Sequence, residues 1–171
     1  MTTLINISDI QAVESISSNL NVNKKLNPHI LDAQECDVRP LLGEEFWIDI
    51  VDNLSDYDDL WLEHTYTHAG HTYRHPGLKY VLIMYTYARY KDDAQMHDTA
   101  HGVVMKTTEF STPVSDKAIA RAGAKARSSA QVYWSRVKQY LDRKYQDYPL
   151  WHGTAVKSTG NGLKIKKVSK F

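Results

Sequence analysis

The segment LKYVLIMYTYA, residues 78–88, is apolar on nearly every side. Leu78, Val81, Leu82, Ile83, Met84, Tyr85, Tyr87 and Ala88 leave no continuous polar stripe at helical spacing. A helix of this kind must be covered from several directions. It is too short to span a bilayer, which needs ~20 apolar residues, and Thr86 interrupts it. Other helices of the chain must therefore wrap it, and 171 residues suffice for one domain with a single core.

The flanking sequence supplies those helices. Ser8-Asp9 read as the cap of a first helix carrying Ile10, Val13 and Ile16. SNLNVNKK reads as a polar connector. Asn27-Pro28 predicts a second start, with Pro at the first helical position, and Pro40 predicts its end or a kink. PLLG is the turn, and EEFWIDIVDNL a third helix whose apolar face is Phe46, Trp47, Ile50, Val51 and Leu54. His75-Pro76 predicts the start of the central helix. GVVMKTTEFSTPVS is β-branched and ends near Pro113, which predicts an extended arm or short strand pair at about 102–114. Ser115-Asp116 predict the cap of a long helix over 116–148, stopped by Pro149. Its first half is rich in small residues, and Gly123 is the expected kink. In the tail, TGNG between two alternating runs is a hairpin signal. The expected fold is mainly α, with four or five helices over 1–152 and a basic tail over 153–171.

EHTYTHAGHTYRH, residues 63–75, concentrates four of the eight histidines, His64, His68, His71 and His75. On one helix face they would suit Zn, Ni or Cu. Gly70 and Pro76 argue against that helix, and no H-E-x-x-H order is present. The reading is a long polar loop, with a helical turn around Asp58–His64 and no structural metal. Interface histidines, sensitive to pH near ~6.5, are the intermediate reading. The single cysteine, Cys36, excludes an internal disulfide; between Glu35 and Asp37 it reads as a small core residue rather than a nucleophile. No G-x-S-x-G, P-loop or dinucleotide-binding glycine pattern occurs. No enzyme activity and no cofactor is expected. MTTLINISDI has no basic stretch or long apolar run and does not read as a signal peptide.

The net charge of +1 hides a strong asymmetry. Residues 1–63 carry 13 acids and 3 bases, residues 64–152 carry 7 acids and 13 bases, and residues 153–171 carry 5 lysines and no acid. A basic half could hold nucleic acid. It could equally meet the acidic half of another copy, in a head-to-tail contact that closes into a ring. The expected subunit contact runs from Asp49, Asp52, Asp56, Asp58, Asp59 and Glu63 to Arg121, Lys125, Arg127 and Arg136 of a neighbour. Unpaired backbone in the arm and tail would be satisfied by strand addition to another chain. Val103, Val104, Lys106 and Phe110 of the arm, and Lys157, Lys164, Lys166 and Lys167 of the tail, are the expected docking residues.

The order of parts resembles the head–tail connector (adaptor) proteins of tailed bacteriophages, and most closely the neck ring proteins of crAss-like and Bacteroidetes-infecting phages. HILDAQECDVRPLLGEEFWIDIV, HPGLKYVLIMYTYARY, GVVMKTTEFSTPVSD and AQVYWSRVKQYLDRKYQDYPLW carry the resemblance, over about residues 4–151. The basic tail is not part of the common pattern. The resemblance implies a structural virion protein that assembles as a ring, usually a dodecamer, in the phage neck. It implies the portal and further neck or tail rings as partners, and double-stranded DNA passing through the channel without sequence-specific binding. A helical nucleic-acid-binding protein is the alternative, followed by a histidine-cluster metal protein.

Overall fold

The computed structural model describes residues 2–17, 21–93, 96–99, 102–105 and 115–153. Among these residues the fold is mainly helical, with two small two-stranded antiparallel sheets. Helix α1 (Ile7–Gln11) begins at Asn6, not at the Ser8 cap the sequence suggests. Asn6 Oδ1 accepts from the amides of Ser8 at 2.9 Å and Asp9 at 3.2 Å, and the Asp9 carboxylate accepts from the Asn6 amide at 2.9 Å. This reciprocal box satisfies more orphan amides than a serine two residues later could. Within the expected connector, Asn21 caps a single turn, α2 (Val22–Lys25).

Helix α3 (Asn27–Asp32) continues through a π-helical stretch, Ala33–Val38, into α4 (Arg39–Leu42). Pro40 does not end it. The Arg39 amide reaches back five residues to the Gln34 carbonyl, and Pro40 falls in the first turn of the α segment that resumes. There a missing N–H costs little. Cys36 sits on this stretch and is exposed, not in the core, because its neighbours Ala33, Gln34 and Val38 take the buried side.

Helix α5 (Glu44–Asp52) buries Phe46, Trp47 and Ile50, while Val51 of the expected face is 36% exposed. A 3-10 turn (Leu54–Tyr57) and α6 (Asp58–Trp61) follow. The expected loop is instead a hairpin, β1 (His64–His68) and β2 (His71–His75). Helix α7 (Leu78–Asp93) starts after His75-Pro76 rather than at it, and is the central element: Leu78, Val81, Leu82, Ile83, Met84, Thr86 and Ala88 are buried. It packs against α8, α3 and the π-helical stretch, and Arg89 Nε holds Asp37 at 2.6 Å.

Strands β3 (Met96–Thr99) and β4 (Gly102–Met105) pair beyond α7, so the expected arm begins as the second strand of a hairpin. Val103 and Val104 lie in β4; Lys106 and Phe110 are outside the described residues.

Helix α8 (Asp116–Arg143) is the longest. At ~1.5 Å per residue its 28 residues span about 42 Å. Gly123 marks no break in it. A Cβ at that position would collide with Asp92 Oδ1 and lie 3.4 Å from the Ala88 carbonyl oxygen, so glycine permits the close approach of α8 to α7. Ala126 and Ala130 continue that buried stripe. The helix stops at Arg143, not at Pro149. Tyr148 and Trp151 then fold back to cover Phe46, with ring centres 6.2 and 6.3 Å away. The Trp151 indole N–H donates to Asp142 at 3.0 Å. The tail hairpin expected beyond Gly153, with Lys157, Lys164, Lys166 and Lys167, lies outside the described residues.

Candidate functional site

The four histidines are placed by strand alternation. Side chains two apart share a face of a strand. The register pairs His64 with His75, Tyr66 with Tyr73 and His68 with His71, so one face of the hairpin is a ladder of two histidine pairs around a tyrosine pair. Thr65, Thr67, Thr72 and Arg74 take the other face. Ala69 and Gly70 form the turn, at φ 49° and 78°. Two successive left-handed residues give the turn that matches strand twist, and Gly70 takes that conformation without strain.

The ladder packs on the C-terminal end of α8. His75 is 1% exposed and stacks on Tyr140 at 4.3 Å between ring centres. Its Nδ1 accepts from the Gly77 amide at 3.2 Å, and Nε2 has no hydrogen-bond partner among the described residues. Burial, then the neighbouring His64, holds its pKa down at about 4, so the ring is neutral near pH 7. His64 Nδ1 lies 3.2 Å from Asp59. His68 and His71 stand exposed at the far end. Two histidines at the base and two at the tip do not converge. Among the described residues, no group of three His, Cys, Asp or Glu is placed to hold a metal ion.

The residues expected at a subunit contact divide into two sets. Asp49 accepts from the Tyr57 hydroxyl and from Asn53 Nδ2; Glu63 pairs with Arg74, Asp59 with His64, and Arg127 with Asp92. Those charges have partners inside the chain. Asp52, Asp56 and Asp58, and Arg121, Lys125 and Arg136, are exposed, with no charged partner among the described residues. Asp56, Asp58 and Asp59 line an open groove of about 420 Å³ with Ser55, Tyr140, Tyr148 and Asp147. Asp147 was not expected there; no sequence signal shows that the chain returns after α8. The Tyr140 and Tyr148 hydroxyls are 2.9 Å apart, and burial pushes both pKa values up.

The groove sits at one end of α8 and Arg121 and Lys125 near the other. Nineteen residues separate Arg121 from Tyr140, about 28 Å of helix. Unpaired acid thus sits on α5 and the turns after it and unpaired base on α8, with Arg136 at the groove's end of that helix. What such an arrangement can do is orient and hold a partner of complementary charge.

The chain belongs to a family of unknown function, DUF6712, whose model matches residues 38–166. No curated protein and no solved structure matches it. Among the described residues, no helix is long and apolar enough to cross a membrane.

Proposed function

We propose that this protein is a structural subunit of a tailed-phage neck, a ring-forming head–tail connector that joins the portal to the tail and extends the DNA channel. Its role is mechanical rather than catalytic, and it acts in the virion after assembly in the host cytoplasm. The observation that carries the reading is the segregation of unpaired charge onto different elements: Asp52, Asp56 and Asp58 on α5 and the turns after it, Arg121, Lys125 and Arg136 along the outer side of α8. A subunit with unlike faces associates head to tail, and a closed head-to-tail contact makes a ring. The sequence resemblance to connector proteins agrees with this, and the arm and tail are the proposed contacts to the portal and to neighbouring rings. Electron microscopy of phage particles carrying an epitope-labelled copy tests it. Ring density at the portal vertex bearing the label is the expected result; label elsewhere, or none in the particle, rejects the reading.

Exposed Arg121, Lys125 and Arg136 also favour a second reading, a helical nucleic-acid-binding protein. Contacts to phosphate make affinity fall steeply with salt. Micromolar binding of the free protein to duplex DNA, weakened by salt and by replacing these three residues, would favour it over the connector.

A further inference from the structure

Two helix faces carry side chains that the chain itself leaves uncovered. On α5, Phe46, Trp47 and Ile50 face the core, so Ile48 stands at the centre of the outer face with Val51 and Asp52 beside it. Ile48 is 49% exposed. It borders a groove of about 360 Å³ that also takes in Trp47, Val51 and Asp52. Glu45 continues this face at the helix N-terminus, while Glu44 is held by Arg39, which also borders the groove and pairs with Glu35.

On α8 the buried stripe Gly123, Ala126, Ala130, Val137 and Leu141 leaves the opposite face to Arg121, Lys125, Val132 and Arg136. Steps of four, seven and four residues keep these four on one side of a helix. Val132 is 54% exposed, two turns after Lys125 and one turn before Arg136. Each face is an apolar centre with charge around it, acidic on α5 and basic on α8.

We propose that the outer face of α5 on one copy docks against the outer face of α8 on the next, with Val132 seated beside Ile48 and Val51. The basic residues of α8 then flank the acidic end residues of α5, Asp52 foremost. The occupant is a second copy because the two faces complement each other and neither complements itself. Two α5 faces would oppose acid to acid, and two α8 faces base to base. Every pair formed this way leaves one α5 face and one α8 face free, so association continues until the ring closes. The apolar centre holds the contact, and the charges set register and encounter rate. The inference rests on the self-assembly part of the proposed function and adds the residues that make the contact.

Two single variants and their mixture test it. Ile48→Asp damages only the α5 face, and Val132→Asp only the α8 face. Both positions are exposed, so far-ultraviolet circular dichroism and thermal unfolding should match those of the unmodified chain. By analytical ultracentrifugation the unmodified chain forms oligomers, and each variant alone is monomeric. An equimolar mixture retains one intact face of each kind and forms a heterodimer, with nothing larger. A mixture that stays monomeric, a single variant that assembles like the unmodified chain, or an unmodified chain that is itself monomeric overturns the pairing. Should either variant unfold, the milder Ile48→Ser and Val132→Ser replace them, with the same mixture read out in the same way. Failure of the two ideas looks different. Chains that pair through α5 and α8 but are missing from the neck reject only the connector reading. Labelled neck rings that incorporate both variants at full efficiency reject only the pairing.

Discussion

The guanidinium carbon of Arg143 lies 3.8 Å from the centre of the Tyr73 ring. From the same position Nη1 donates a hydrogen bond to the Tyr66 hydroxyl at 2.9 Å. One side chain at the last turn of α8 therefore holds both tyrosines of the ladder, one on each strand. A lysine would keep the charge but lose the planar stacking and the second donor geometry.

Arg143→Ala should cost about 1–2 kcal/mol, the scale of one cation–π contact plus one hydrogen bond at a half-buried site. The loss should fall on the hairpin. Urea unfolding reads the total, and amide exchange should accelerate across His64–His75 with little change in α7. Arg143→Lys should recover less than half of the difference.

His75 makes stability depend on pH. Its folded pKa, about 4, lies below the unfolded value of 6.5. The unfolded chain therefore binds a proton before the folded chain does. Stability contributed by neutral His75 is complete above pH 6.5 and is lost as pH falls toward 4, at roughly 1.4 kcal/mol per pH unit. The groups around the ring are His64, Asp59, Tyr66 and Tyr140. His75→Phe keeps the stack on Tyr140 and removes the titration. The unfolding free energy of the unmodified chain minus that of the variant should fall from pH 7 to pH 5, and a constant difference would refute the assignment.

Gly123 distinguishes a packing role from a kink. In an open helix Gly→Ala gains about 1 kcal/mol. Here the added methyl displaces Asp92 from Arg127, an exposed pair worth ~0–1 kcal/mol, so Gly123→Ala should be close to neutral. Gly123→Leu must force α8 away from the Ala88 carbonyl and should cost about 1–3 kcal/mol. A kink site would instead accept both substitutions with a gain. Thermal unfolding of the two variants separates the cases.

The central helix was legible because an all-round apolar segment allows only a buried position, and the α5 face because Phe46, Trp47 and Ile50 recur at helical spacing. The hairpin was not. HTYTH and HTYRH mirror each other across Ala69-Gly70, yet both of its faces are polar or aromatic. Alternation is readable only when it separates apolar from polar, and histidine, tyrosine and threonine blur that contrast. Pro40 marked a disturbance of the helix but not its form, because the wider π turn that accommodates it is a backbone property with no side-chain signature. Which charges find partners in the chain was hidden for another reason: Arg127 and Asp92 are 35 positions apart. Composition counts both, and only the approach of α8 to α7 pairs them.

The last test concerns the C-terminal segment, where packing and docking can be separated by position. Trp151 is 6% exposed and lies against Phe46 and Trp134, so it belongs to the helical body. Beyond Gly153 come five lysines and no acid. A chain shortened to residues 1–153 keeps every described contact and should unfold at the same temperature as the full chain. A chain shortened to residues 1–147 loses both the Tyr148 hydroxyl on Tyr140 and the Trp151 indole, two large aromatic anchors. Truncating a buried aromatic costs about 3–5 kcal/mol, so this shorter chain should be strongly destabilised. If the lysines serve to dock on the portal or the next ring, the 1–153 chain folds normally but fails to join complete necks in particles assembled in its presence. Its incorporation at the efficiency of the full chain would remove the tail from the assembly contacts and leave the helical body to carry them.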